Sequence, residues 1–272
     1  TVKRAQTIIG DGAVPIVLGP LTLLRLSRVE ADAQQILPAL RDRYLNLLEQ
    51  LKASGVVEAQ IHEPALVFGD AGEYKTWYES IYTAFAEVGL PIHLVTHFDD
   101  LGDAYPWVVQ LPVATLSLDF TRGRNLDLLQ QHGFPADKHL GVGIIDARNV
   151  WKIRPQTTLS TLETIQSQTN QLSIHPSASL QFVPYDTNLE TKLPEPLRNV
   201  LSFAEQKLEE VVMLANALSG KQIKEQLATW ESNWAAFAEF SPANTSVREQ
   251  VRNLKASDFQ RPLPYEQRRS RQ

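Results

Sequence analysis

The chain has 272 residues, 43% of them hydrophobic and 21% charged, with a net charge of −5 and no cysteine. That is enough for one large globular domain, with no global positive field for nucleic acid or anionic membrane, no signal peptide and no membrane-length apolar run, since Val14 to Leu18 is short and Arg25 and Arg28 follow. The absence of cysteine removes disulfides, thiolate nucleophiles and Cys-ligated zinc together, and fits a reducing, cytoplasmic setting.

The chain opens at Thr1 rather than Met, directly in a helix-like stretch, and reads as a fragment or as a chain with residues upstream. Short, nearly all-apolar runs then alternate with helical patterns. The expected strands are Val14–Leu18, Val56–Ile61, Pro91–Thr96, Ala114–Leu118, Leu140–Ile145 and Leu172–His175. Runs apolar on both faces suit a parallel sheet covered by helices. Helices are expected from Ala33 to Ser54, with Gly55 as the stop, and from Glu73 to Val88, with Trp77, Ile81, Phe85 and Val88 on one stripe. Shorter ones are expected from Leu126 to Gln131 and from Thr157 to Gln168. Such alternation gives an α/β barrel or a doubly wound sheet.

After His175 the pattern changes. Ser177 to Glu190 reads as a long loop. A helix follows from Pro194 to Leu218, its apolar face carrying Leu197, Leu201, Ala204, Leu208, Val211, Val212 and Leu218, and Gly220 punctuates it. Helices over Lys221–Phe240 and Ser246–Leu254 come next. The arginine-rich tail, including Arg268, Arg269 and Arg271, reads as a linker. The expected division is 1–193 for the barrel portion, 194–255 for a helical region packed on it, and 256–272 for the tail. No internal repeat is visible.

The stretch most suggestive of chemistry is Gln60-Ile61-His62-Glu63-Pro64-Ala65-Leu66. An apolar strand runs into His62 and Glu63, and Pro64 blocks further pairing, which is how a parallel barrel presents side chains at its C-terminal rim. His62 and Glu63 could form an acid–base pair, or Glu63 could fix a loop. Asp146, Arg148 and Asn149 could bind an anion, or hold their own loop through side-chain to backbone bonds. Arg122-Gly123-Arg124 reads as solvated charge. Gly141 and Gly143 lack the third glycine and downstream acid of a dinucleotide site. The serines lack a G-x-S-x-G elbow, which disfavours a serine hydrolase. Trp77, Trp107, Trp230 and Trp234 fall within helical patterns and are expected to pack.

The segment around His62 resembles the IDEPAL signature of cobalamin-independent methionine synthase, with His62 where the family has Asp. Val17-Leu18-Gly19-Pro20-Leu21-Thr22 is similar to its LLGPVT strand and loop. Gly141 to Trp151 is similar to its SAGLINGRNVWR segment, and Glu190-Thr191-Lys192-Leu193 to its ETRLD turn. These matches run in order over nearly the whole chain. The resemblance implies a TIM-like (β/α)8 barrel, incomplete at its N-terminus because six strands are visible where a closed barrel uses eight. It further implies the amino-terminal scaffold barrel of an enzyme that moves a methyl group from a 5-methyltetrahydrofolate polyglutamate to homocysteine. The family's zinc, homocysteine and most of its folate site belong to a second, carboxy-terminal catalytic barrel. That barrel would be this chain's partner, and no cofactor is expected in the chain itself.

The two family barrels resemble a duplication. Laying the catalytic half on this one places its zinc ligands on Val95, His97, Asp119 and Ala178. Only His97 and Asp119 could coordinate, so no metal is expected there. His93 shares a strand face with Val95 and His97, and with Asp119 would make at most a weak adventitious set. The chain alone is therefore expected to be inactive. A stand-alone barrel of the same superfamily with another activity, using His62, Glu63, His97 and Asp119, is one alternative. A non-catalytic module docking through the helical region is another.

Overall fold

The computed structural model describes residues 2–28, 33–240 and 245–264. Residues 265–272 of the expected tail, with Arg268, Arg269 and Arg271, lie outside them. The described chain holds eleven α-helices and six strands, which alternate for the most part up to the sixth strand. Helix α1 (Val2–Ile9) leads to β1 (Ile16–Leu18), α2 (Pro20–Leu26), α3 (Ala33–Ala53), β2 (Ala59–His62) and α4 (Lys75–Glu87). Strand β3 (Ile92–Val95), α5 (Tyr105–Val108), β4 (Thr115–Asp119), α6 (Asn125–His132) and β5 (His139–Ile145) follow, then α7 (Pro155–Gln166) and β6 (Leu172–Pro176). The chain continues through α8 (Glu195–Arg198), α9 (Ala204–Leu218), α10 (Lys224–Phe240) and α11 (Thr245–Arg252).

All six strands are parallel and stand in the order β1-β2-β3-β4-β5-β6. Every neighbour is the next strand in sequence, the connectivity of a (β/α) barrel, and an unclosed one: β1 and β6 are the two edges. One face of the sheet packs against helices. Ala59 and Ile61 of β2, Ile92 and Leu94 of β3, and Leu116 and Leu118 of β4 are buried there with Tyr78, Ile81, Tyr82 and Phe85 of α4. The buried stripe of α4 thus turns on its tyrosines, with Trp77 only partly covered at its margin.

Strand boundaries differ from the sequence expectation for a local reason. The second strand begins at Ala59, not Val56, because α3 closes in a Schellman turn. Gly55 takes φ +80°, its N–H bonds the Lys52 carbonyl at 3.0 Å, and the Val56 N–H bonds the Leu51 carbonyl at 3.2 Å. Val56 is spent on that turn. Helix α2 went unforeseen because Gly19 offers no capping side chain, and its cap comes from a distant strand.

The expected helix from Pro194 to Leu218 is interrupted. Asn199 and Val200 turn out of the helix, and Leu201 bridges antiparallel to Trp151. The Lys152 N–H bonds the Val200 carbonyl at 2.9 Å, and the Ser202 N–H bonds the Val150 carbonyl at 2.8 Å. Buried Val200, Leu201 and Phe203 hold this stretch in the core, so tertiary pairing overrides a helix-compatible spacing. Helix α9 then buries Gln206, Lys207, Glu210, Met213 and Leu214, while Leu208 and Val212 of the expected apolar face are exposed. It packs on β6 and β5. Trp234 of α10 is buried and donates its indole N–H to the Ile153 carbonyl at 3.1 Å.

Candidate functional site at the lumen and rim

Parallel strands send their carboxyl ends to one side, so Gly19, Glu63, His97, Asp119 and Asp146 all follow or end strands at the same rim. Their side chains nevertheless do different work. Along β2, successive residues face opposite sides: Ala59 and Ile61 face the helices, while Gln60 and His62 face the lumen. Glu63 therefore turns away from His62. Its carboxylate is fully buried at the start of α2, accepting from Leu21 N at 3.2 Å, Thr22 N at 2.7 Å and Thr22 Oγ1 at 2.5 Å, with the Tyr82 hydroxyl at 3.5 Å. It caps orphan donors that Gly19 cannot reach. Burial pushes its pKa up to about 7 against the pull of these donors.

The concave face of the sheet bounds a cavity of about 540 Å³ lined by Gln60, His62, His93, His97, Ser117 and His175, among others. His93 Nε2 stands 2.6 Å from Ser117 Oγ. Its Nδ1 lies 3.3 Å from Gln60 Nε2 and 3.6 Å from the Glu58 carboxylate, whose pKa the imidazole lowers. Gln60 Oε1 is 3.3 Å from His62 Nε2, and His62 Nδ1 is 3.1 Å from His97 Nε2. His175 and His139 meet on Ser173 Oγ at 2.7 and 3.0 Å. Burial, then neighbouring imidazoles, depress His62 and His175 to about 4; burial also lowers His97. His62, His97 and His175 are thus biased towards the neutral imidazole.

The remaining rim candidates bind loops of the rim. Asp119, whose pKa burial raises, accepts from Thr121 N at 2.8 Å, Thr121 Oγ1 at 2.6 Å and Phe98 N at 3.2 Å. Asp146 accepts from Arg148 N at 2.7 Å and Asn149 Nδ2 at 2.8 Å, with Arg122 at 3.6 Å. Asn149 in turn accepts from Trp151 N, and the Arg148 guanidinium sits over the Phe98 ring. His62 and His97 are brought together; His62 and Glu63 are not, and neither are His97 and Asp119. Glu58, Gln60 and Ser117 were not foreseen. Polar residues recurring at alternate positions of otherwise apolar strands are the signal that would have found them.

Comparison with known proteins resolves the family. Residues 1–170 match the family described as cobalamin-independent synthase, N-terminal domain. The chain belongs to this family. A 5-methyltetrahydropteroyltriglutamate–homocysteine methyltransferase from Thermosynechococcus vestitus is 60% identical over 280 residues, covering 100% of this chain and 37% of that protein. Proteins of the same name from Trichodesmium erythraeum and Bacillus velezensis are 55% and 38% identical, each covering 98% of this chain and 36% of its relative. The chain spans little more than a third of these relatives' length. A B12-independent methionine synthase from Shewanella sp. W3-18-1, solved in complex with selenomethionine, shares the fold at a TM-score of 0.50 and 16% identity, over 93% of this chain and 68% of that one.

Proposed function

We propose that this chain serves as the amino-terminal scaffold barrel of a cobalamin-independent methionine synthase, while methyl transfer from a 5-methyltetrahydrofolate polyglutamate to homocysteine is carried out in a carboxy-terminal zinc barrel of the same enzyme. The observation that carries the reading is the near-complete coverage of this chain by relatives nearly three times its length that bear the methyltransferase name. The proposed division is 1–193 for the barrel, 194–255 for a helical annex and 256–272 for a linker, in a cytoplasmic enzyme. Among the described residues no helix is long and apolar enough to cross a membrane.

The zinc expected of the full-length family does not fit the duplicated positions here. Val95 and Ala178 carry no donor, Asp119 spends its oxygens on Thr121 and Phe98, and His97 Nδ1 lies 3.1 Å from the Ser177 carbonyl. No step of the reaction is derived through these residues. The commitment of Glu63 to capping α2, and of Asp119 and Asp146 to rim loops, supports a scaffold over a stand-alone enzyme built on His62, Glu63, His97 and Asp119. The test is an assay of the purified chain with methyltetrahydrofolate triglutamate and homocysteine. The expected result is no methionine; turnover abolished by His97→Ala would overturn the scaffold reading. A coding sequence running past Gln272 into a zinc barrel would support it.

A further inference from the structure

A hydrogen-bond chain runs along the lumen wall, and its two ends fix the direction of every link. His97 Nδ1 lies 3.1 Å from the Ser177 carbonyl, which only accepts, so Nδ1 carries the proton and Nε2 the lone pair. His62 Nδ1, 3.1 Å from that lone pair, then donates, and His62 Nε2 is left as an acceptor. At the other end His93 Nδ1 lies 3.6 Å from the Glu58 carboxylate, so it carries a proton and His93 Nε2 a lone pair. The Gln60 amide spans His62 Nε2 and His93 Nδ1 at 3.3 Å each, and its two ends are alike in shape. With nitrogen towards His62 and oxygen towards His93, every contact pairs a donor with an acceptor. The reverse sense sets donor against donor at His93 and acceptor against acceptor at His62. His93 Nε2 therefore meets Ser117 Oγ, 2.6 Å away, as a base, and the serine hydroxyl donates to it.

We propose that Ser117 is a nucleophile with His93 as its general base and Glu58 as the residue that positions the imidazole, and that it takes the acyl group of small, uncharged, activated esters entering the lumen. Nucleophile, base and orienting carboxylate stand in the order that acyl transfer uses, built on three neighbouring strands instead of a nucleophile elbow. Ser117 and His93 both line the cavity of about 540 Å³, and among the described residues that line it there is no Asp, Glu, Lys or Arg, so an uncharged substrate fits. Gly141 stands beside Ser117 in register, and a Cβ there would overlap Ser117 Oγ. The glycine leaves the hydroxyl its place on the lumen wall. In the reaction Ser117 Oγ bonds the ester carbonyl carbon while its proton passes to His93 Nε2. The bond from that carbon to the leaving alcohol breaks, and the alcohol takes the proton. Water, deprotonated by His93 in turn, releases the acid and restores the serine. Strand β4 is paired on both sides, so its backbone N–H groups serve the ladder and not an oxyanion hole. Acylation therefore needs an activated ester, and release is slow.

The experiment treats the 272-residue chain with p-nitrophenyl acetate and follows nitrophenol release together with peptide mass. A burst of one equivalent is expected, with the acetyl group on Ser117. Ser117→Ala should remove the burst, and His93→Gln should slow it about a hundredfold or more. Glu58→Gln should slow it about tenfold, with Glu58→Asp restoring part of the rate, which a merely structural carboxylate would not do. Ser117→Cys gives an independent measure, because the chain has no cysteine of its own. At pH 7 iodoacetamide should alkylate that thiol about tenfold faster than a free thiol, and adding His93→Gln should abolish the acceleration. A burst unchanged in Ser117→Ala, acetyl groups on other residues only, or a thiol at this position no faster than a free one would each overturn the proposal.

Discussion

Glu63 shows how a residue that resembles a catalytic acid can be architectural. Its carboxylate occupies the place a capping side chain would take on α2, and a Cβ at Gly19 would lie 2.0 Å from its Cδ. Glu63→Ala should cost about 2–4 kcal/mol in denaturant unfolding, because Leu21 N, Thr22 N and Thr22 Oγ1 all lose a buried acceptor. Gly19→Ala should be similarly destabilising, and replacing Glu63 by alanine in that background should relieve part of the loss. The titration signs also differ between residues. Glu63 has a folded pKa raised to about 7, so its protonated form is favoured by folding and stability falls as pH rises from about 4.5 to 7. His62 and His175 have folded values near 4, so they contribute stability above about 6.5 that is lost as pH falls towards 4. Two such histidines, with His97 shifted the same way, outweigh one glutamate. The thermal midpoint should therefore climb between pH 4 and 6.5, and climb more steeply in Glu63→Gln.

At the level of elements, the sheet's two free edges set the chain's behaviour in solution. Ile16 and Leu18 of β1 are 63% and 42% exposed, beside exposed Ile8, Ile9 and Leu26. An apolar edge with unpaired backbone groups recruits other strands. The isolated chain should self-associate with rising concentration in sedimentation velocity, and Ile16→Lys should shift it towards monomer without altering the helices. A second element-level feature is the clasp between residues 150–152 and 200–202. Ser202→Pro deletes the N–H that reaches the Val150 carbonyl. Hydrogen exchange should then rise over α8, α9 and residues 149–153 while β2 to β4 stay protected.

For the molecule as a whole, the six parallel strands were legible because apolar runs of strand length alternate with helical stripes, while the choice of a barrel-like order over a doubly wound sheet came from the family resemblance. What was not legible depended on long-range partners. Nothing near Gly19 in sequence announces that Glu63 will cap α2, 41 to 42 residues away. Nothing local to Leu201 says that it will pair with Trp151 rather than continue a helix. The lumen was half legible: His62, His93 and His97 stood out, whereas Gln60 and Ser117 became visible as their partners only once strand register placed them side by side.

The clasp has a mechanical meaning. Lys207 and Glu210, both buried on α9, bond the Trp151 carbonyl and the Ile153 N–H. Trp151 N–H bonds Asn149, and Asn149 bonds Asp146 at the rim. A continuous chain of hydrogen bonds thus runs from α9 to the Asp146 loop at the rim. Tension or torque applied through α9 would be delivered to the Asp146 loop instead of being dissipated in a slack connection.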